Sequence, residues 1–191
     1  MKKISTANYY SYSAYREKVT LDLQDKLANA PEDHLIQYIT LNETRMNRLD
    51  KTIKLTDKTS YKLQHLTEKY TFYVLSEGWC GDAAQIVPII NIMCEATKLI
   101  DLKIIFRDEN LDIMDQYLTN GTQSIPKLVI FNANDEEIAV WGPRPEPAAN
   151  IIIENKKLHG KVTEDGVTAL QLWYAKDKGV TIQEEILNFI K

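Results

Sequence analysis

The sequence predicts an α/β fold in which a mixed β-sheet is covered by helices, with extra helices at both the N- and C-terminal ends. Two patterns support this prediction. Apolar residues recur at helical spacing over roughly the first sixty residues, whereas short β-branched and aromatic segments alternate with helical ones after residue 70. The 191 residues, 44% of them hydrophobic, fit one domain with a sizeable core.

The N-terminal part of the chain is predicted to form three helices. In the first helix, apolar side chains lie three or four residues apart, at Tyr12, Tyr15, Val19, Leu23 and Leu27. Pro31 opens the second predicted helix, because proline is tolerated in a first turn. The buried face of this helix is predicted to comprise Leu35, Ile39, Met46, Leu49 and Ile53. A short third helix is predicted around Leu63 and Leu66.

The predicted sheet begins at residue 70. Four short segments are predicted to be strands: 70–76, 102–107, 127–131 and 137–142. A helix from Cys80 to about Lys98 joins the first two strands, which should therefore be parallel. Another helix is predicted over 110–118. The last two strands are joined by a short connection and should form an antiparallel hairpin.

Three further helices are predicted after the sheet, near 147–158, 167–178 and 181–190. The last of them begins with Thr181 and Glu184, which are spaced as a capping box. We therefore expect a single domain over 1–191. This domain is expected to have a core at about 70–158 and helical extensions at 1–69 and 159–191.

The composition argues against several classes of function. The formal net charge is −4, so we expect no general basic surface for nucleic acid or anionic lipid. The longest apolar run, 128–131, is far shorter than a membrane span, and no apolar run follows the N-terminal lysines. Only two cysteines are present, which favours a cytoplasmic protein over a disulfide-stabilised secreted one.

The segment 77–88, with the sequence EGWCGDAAQIVP, carries the main chemical signal. Its cysteine, Cys80, follows a predicted strand and opens a predicted helix, and Pro88 lies eight residues later. This arrangement resembles the thioredoxin family, whose motif Trp-Cys-Gly-Pro-Cys also lies between a strand and a helix that a proline kinks. The flanking helices resemble those of a bacterial branch of that family whose motif reads Cys-Gly-Asp-Cys or Cys-Gly-Asp-Ala.

A second segment strengthens the resemblance. Ile125 and Pro126 precede a predicted strand, as the family's Ile-Pro loop does, and Gly142 stands where a family glycine borders the same groove. The resemblance implies a cis peptide bond before Pro126 and a nucleophilic Cys80. It also implies a substrate groove formed by Trp79, Gly81, Asp82, Ile125, Pro126 and Gly142.

The sequence departs from the family pattern at three positions. Val74 occupies the position of the family's buried acid, Asp82 replaces the motif proline, and Ala83 replaces the second cysteine. The other thiol, Cys94, lies fourteen residues along the same predicted helix, which places it roughly 21 Å from Cys80. A disulfide needs Cα atoms within about 7 Å, so Cys94 is predicted to be a buried apolar residue that cannot resolve a disulfide at Cys80.

A lone thiol at a helix start leaves two kinds of function open. The helix dipole favours the thiolate and Asp82 opposes it, and we expect the net effect to lower the pKa of Cys80. Cys80 would then form mixed disulfides with a small thiol or a protein substrate, as a monothiol thiol–disulfide oxidoreductase. The alternative is a redox-silent thioredoxin-fold binding or adaptor protein.

The remaining polar residues point to no further chemistry. Arg107 and Asp108 follow a predicted strand and are expected to form a solvated pair with a capping role rather than a substrate contact. Arg144 could attract a carboxylate, although a surface role is the simpler expectation. The three histidines are scattered, and no phosphate-binding loop is present, so neither a metal site nor a cofactor is expected.

Overall fold

Four strands form one mixed sheet in the computed structural model, which describes residues 3–191. The strands are β1 (Tyr70–Ser76), β2 (Ile100–Phe106), β3 (Lys127–Asn132) and β4 (Glu137–Trp141). Their spatial order is β2-β1-β3-β4. The predicted α/β fold with a mixed sheet covered by helices is therefore confirmed. Residues 1 and 2 of the predicted domain lie outside the described residues.

The strand β1 lies between a parallel and an antiparallel neighbour. It pairs in parallel with β2, from Tyr70 opposite Ile100 to Ser76 opposite Phe106, because a helical crossover joins the two strands. It pairs antiparallel with β3, which in turn forms an antiparallel hairpin with β4. Six of the seven β1 residues are buried, which explains its nearly continuous aromatic and β-branched sequence.

Eight α-helices surround the sheet within the described residues. They are α1 (Tyr12–Asn29), α2 (Leu35–Thr52), α3 (Asp57–Gln64), α4 (Ala83–Glu95), α5 (Leu111–Met114), α6 (Glu146–His159), α7 (Glu164–Asp177) and α8 (Val180–Leu187). A 3₁₀ turn at Ile4–Thr6 precedes them. Helices thus flank the sheet region on both sides in the chain, as predicted.

The helix α4 is the element around which the others are arranged. Ten of its thirteen residues are buried, including Pro88 inside the helix. It packs against α2 and α3 from the N-terminal region, against α8 from the C-terminal region, and against β2. The helices outside the sheet region therefore share the core of the sheet rather than forming a separate unit.

Several helix ends differ from the sequence prediction for local reasons. Pro31 lies in a turn, and α2 begins only at Leu35, after Asp33 accepts a hydrogen bond from the Leu35 N–H at 2.8 Å. The predicted capping box is wrong: α8 is capped by Gly179, whose φ is +78°, and the Thr181 N–H donates to Asp177 instead. The helix predicted over 110–118 ends at Met114, beyond which the chain forms turns.

None of the helices in residues 3–191 combines the length and the apolar character that crossing a membrane would require.

Candidate functional site

The chain turns between β1 and α4 at the segment 77–82, and Cys80 lies in this turn. The helix was expected to start at Cys80, but regular helix begins at Ala83. Cys80 nevertheless accepts hydrogen bonds from the first turn of the helix: its carbonyl accepts the Ala84 N–H at 3.1 Å, and its sulfur accepts the Ala83 N–H at 3.4 Å. The sulfur is therefore fixed at the N-terminal end of α4 by the backbone that follows it.

The Cys80 side chain is buried, with 8% of the residue exposed. Its thiol donates to the carbonyl oxygen of Ile125, with a sulfur–oxygen distance of 3.4 Å. Burial raises the pKa of Cys80 to about 12, and the negative charge of Asp82 adds to this effect, while the N–H groups of Ala83 and Asp82 oppose it. The expectation of a lowered pKa is wrong, because the helix-dipole argument did not include desolvation. At neutral pH the resting group is a thiol.

The loop before β3 supports the other side of the sulfur. The Ile125–Pro126 peptide bond is cis, and so is the Gly142–Pro143 bond. Gly142 has a φ of +107°, and a Cβ at this position would stand 2.4 Å from the carbonyl oxygen of Pro126. Any larger residue at Gly142 would push the Pro126 loop away, so the glycine sets the spacing of the two segments behind Cys80.

A pocket of about 690 Å³ opens in front of Cys80. Trp79, Cys80, Gly81, Asp82 and Ile125 all line it, so the structure brings five of the seven predicted site residues to one cavity. Pro126 and Gly142 are not among the lining residues and lie against each other instead. Much of the remaining wall is apolar and comes from helices outside the sheet region, at Leu35, Tyr38, Leu41, Ile152, Val167 and Leu170.

Trp79 is held at the pocket by Arg107 and Asp108. The Arg107 guanidinium lies over the indole ring at 4.8 Å from its centroid and pairs with Asp108 at 2.6 Å. The indole N–H donates to Asp108 at 3.3 Å. Arg107 and Asp108 form the expected ion pair. Asp108 does not have the expected capping role, because the N-cap residue of α5 is Asn110. Instead, the pair orients Trp79.

Asp82 connects the turn to the C-terminal helices. One carboxylate oxygen pairs with Arg144 at 2.6 Å, and the other accepts a hydrogen bond from the Tyr174 hydroxyl at 2.9 Å. Asp82 is 7% exposed, and burial raises the pKa of Tyr174. Arg144 is therefore not the free surface arginine that was expected. The motif aspartate instead binds α7 and the loop after β4 to the turn that carries Cys80.

Arg45 is a pocket residue that the sequence analysis did not identify. On α2, the buried Asn42 donates to the carbonyl of Gly78 at 3.0 Å and accepts from the Arg45 guanidinium at 3.0 Å. A Cβ added to Gly81 would stand 3.3 Å from the same guanidinium nitrogen, so Arg45 lies beside the residue that follows Cys80. A signal was present in the sequence: Asn42 is a polar residue within the apolar stripe of the helix.

Glu77 is a second residue that was not identified. It is 8% exposed, and its carboxylate accepts the Asp108 N–H at 2.8 Å. Burial raises the pKa of Glu77 to about 7. The hydrogen bond from the Asp108 N–H lowers this pKa, whereas the negative charge of the Asp108 carboxylate raises it. A carboxyl group that titrates near neutral pH thus lies three residues before Cys80.

Cys94, near the other end of α4, has different surroundings. It is 6% exposed and belongs to the apolar core, and burial raises the pKa of its thiol. Both cysteines are free. Within residues 3–191, no group of three or more potential metal ligands is close enough together to hold a metal ion.

A family model described as thioredoxin matches residues 28–158, more than half of the chain. Among solved structures, the chain is similar to a protein of unknown function from Pseudomonas aeruginosa, with a TM-score of 0.62 and 17% identity, covering 80% of this chain and 88% of that one. It is also similar to an HIV epitope-scaffold, with a TM-score of 0.63 and 16% identity, covering 97% of this chain and 93% of that one. No curated protein matches the sequence.

Proposed function

Because this chain belongs to the thioredoxin family, we propose that it is a monothiol redox protein in which Cys80 forms mixed disulfides with a small thiol or a protein substrate. The motif Cys80-Gly81-Asp82-Ala83 supports a place in a bacterial branch of the family whose motif reads Cys-Gly-Asp-Cys or Cys-Gly-Asp-Ala, and in this chain the second thiol is absent. The protein acts as a single domain in the cytosol and needs no bound cofactor.

The proposed reaction is a thiol–disulfide exchange. After losing its proton to solvent, the Cys80 sulfur attacks one sulfur of a disulfide, a new Cys80–substrate disulfide forms, and the other substrate sulfur leaves as a thiolate. Because Ala83 carries no thiol, a second small thiolate must then attack the substrate sulfur of the adduct and release Cys80. Each cycle thus consumes one small thiolate and gives a new disulfide between it and the bound substrate sulfur, while the other substrate sulfur leaves as a thiolate and the protein returns unchanged.

The position of the Cys80 sulfur carries this proposal. The sulfur lies at the start of α4 between the Ala83 N–H and the Ile125 carbonyl, and it faces a pocket large enough for a small thiol or a peptide side chain. The Ala83 N–H supplies a hydrogen bond to the thiolate that forms during exchange. The buried Cys94, near the far end of the same helix, is not placed to compete.

A redox-silent binding or adaptor protein is the second candidate. The burial of Cys80 and the raised pKa of its thiol favour this function, since little thiolate is present at neutral pH. In that case the pocket would still bind a ligand against Trp79 and Ile125, and Cys80 would contribute only its contact surface.

Intact-mass spectrometry after mild diamide treatment with glutathione separates the two candidates. Diamide accepts two hydrogens as one protein thiol and one glutathione join in a disulfide, so the monothiol proposal expects one adduct per chain. The adduct should be retained in Cys94→Ser and lost in Cys80→Ser. If Cys80 stayed unmodified under conditions that modify an exposed control thiol, the monothiol proposal would be wrong and the redox-silent binding or adaptor function would be supported.

A further inference from the structure

One arginine side chain in the pocket in front of Cys80 forms no ion pair within the described residues 3–191. Three arginines and one carboxylate line the pocket. Arg107 pairs with Asp108 and Arg144 pairs with Asp82. Arg45 forms an ion pair with no carboxylate in residues 3–191, and its guanidinium donates instead to the neutral side chain of Asn42. Arg45 is therefore the lining arginine whose charge is available to a ligand.

The position of Arg45 is fixed relative to the reacting sulfur. Asn42 is 1% exposed and bridges the Arg45 guanidinium to the carbonyl of Gly78, in the same turn as Cys80. The guanidinium lies over Gly81, the next residue after Cys80. A group bound to Arg45 would thus lie beside the residue that follows Cys80, because a part-buried hydrogen bond to the buried Asn42 holds the guanidinium in place.

The surroundings of Arg45 favour an anion. The guanidinium is half-buried at a largely apolar pocket, and this desolvation, followed by the charge of Arg48, lowers the pKa of Arg45. The charge of Asp82 raises this pKa in part, but the Asp82 carboxylate itself pairs with Arg144. A partly desolvated cation binds a carboxylate more strongly than a cation in water does, because the effective dielectric constant is lower. The rest of the wall, which includes Leu35, Leu41 and Leu170, suits an apolar body.

We propose that the substrate of Cys80 is a low-molecular-weight thiol or disulfide that carries a carboxylate on an apolar body, and that the carboxylate binds Arg45. This inference rests on the thiol chemistry proposed above. Arg45 is a specificity-determining residue: it selects the anionic substrate, and Cys80 carries out the exchange.

Two aromatic disulfides that differ in charge provide the test. The anionic probe is 5,5′-dithiobis(2-nitrobenzoate), and the neutral probe is 4,4′-dithiodipyridine. With either one, the Cys80 sulfur bonds to one probe sulfur, the probe disulfide breaks and one coloured thiolate or thione leaves. Second-order rates are measured at pH 8.5 in a Cys94→Ser background, in which Cys80 is the remaining cysteine. The ratio of the anionic to the neutral rate isolates charge selection from changes in the acidity of Cys80.

The Arg45→Gln variant should lower this ratio about three- to tenfold, and Arg45→Lys should restore most of it. The matched control is Arg48→Gln, which removes the same charge one turn along α2 at an exposed position that does not line this pocket. It should change the ratio less than about twofold, and added salt should weaken the Arg45 effect. An unchanged ratio in Arg45→Gln, with Cys80 still reacting with both probes, would overturn the inference and leave the monothiol function standing. If Cys80 reacted with neither probe, the monothiol function would fail as well.

Discussion

A buried cysteine lies near each end of α4, Cys80 in the turn just before the helix and Cys94 in its last turn, and the two have opposite surroundings. At the N-terminal end, Cys80 accepts a backbone N–H, donates to a backbone carbonyl and faces a pocket whose wall contains charged groups. At the C-terminal end, Cys94 packs among apolar side chains. The two residues are 8% and 6% exposed, so the exposed fraction hardly distinguishes them. Their different neighbours, rather than their burial, separate a candidate reactive thiol from a packing residue.

The difference extends to the residues around each thiol. Near Cys80, the buried polar groups Glu77, Asp82 and Asn42 hold the turn through hydrogen bonds to backbone and to charged side chains. Burying such groups is unfavourable unless their partners are present, so this end of the helix is sensitive to the loss of a single partner. The Cys94 end depends on apolar packing, which responds more mildly to a small change in volume.

The largest expected effect concerns the acidity of Cys80. Because its pKa is raised to about 12, the thiolate fraction should grow about tenfold per pH unit, and the rate of iodoacetamide labelling should rise about a thousandfold from pH 7 to pH 10. Peptide-resolved mass spectrometry gives the rate, with free cysteine as the reference for the reagent. A plateau below pH 9 would show that Cys80 is far more acidic than its burial implies.

Removing the Asp82 carboxylate should destabilise the protein at the turn that carries Cys80. Asp82→Ala leaves Arg144 and the Tyr174 hydroxyl without their shared partner, so the free energy of unfolding should fall by about 3 kcal/mol. Urea denaturation measures this loss. Asp82→Asn keeps an acceptor for Tyr174 but loses the charge, and its effect should be intermediate. A loss below about 1 kcal/mol in Asp82→Ala would show that the Asp82 contacts do not hold the turn.

The ionisation of Glu77, in the turn that carries Cys80, should make the free energy of unfolding depend on pH. Its pKa is raised from 4.5 to about 7 in the folded state, so the native state binds the proton more tightly than the unfolded state does. The corresponding stabilisation is complete below pH 4.5 and is lost as the pH rises through about 7. Glu77→Gln, which keeps the acceptor for the Asp108 N–H, should therefore gain about 2 kcal/mol over the wild type between pH 5 and pH 8. Urea denaturation of both proteins at pH 5 and pH 8 measures this gain. If the free energies of unfolding of Glu77→Gln and the wild type differed by the same amount at both pH values, the prediction would be wrong.

The smallest effect is expected at the Cys94 end. Cys94→Ala removes one buried sulfur from the apolar core and leaves no polar group unpaired, so the free energy of unfolding should fall by only about 1 kcal/mol. The same urea titration measures it. A loss as large as that of Asp82→Ala would remove the distinction between a polar and an apolar end of α4.

The sequence was most informative where a local pattern determines the structure. The strand β1 was predicted with its observed bounds, 70–76, because a buried strand needs a short β-branched and aromatic run. The end of α5 and the cap of α8 were not predicted. The first depends on turns beyond Met114, and the second on a glycine with positive φ that competes with a plausible capping box.

The candidate site divides in the same way. The turn around Cys80 could be identified from a contiguous motif. The pocket wall could not, because Leu35, Arg45 and Leu170 come from helices that are distant in sequence and meet only through packing. The acidity of Cys80 was predicted with the wrong sign for the same reason: the helix dipole can be inferred from a motif, whereas desolvation depends on the complete fold.

Competitive labelling of the two cysteines in one native sample tests the central claim most directly. Iodoacetamide is added at pH 8.5, and the modified fractions of the Cys80 and Cys94 peptides are followed over time by mass spectrometry. Cys80 faces a pocket, while Cys94 needs local opening of the core before it can react, so Cys80 should be labelled at least about tenfold faster. In urea, both should react at similar rates. Equal labelling in the native protein, or slower labelling of Cys80, would contradict the assignment of Cys80 as the reactive thiol of this fold.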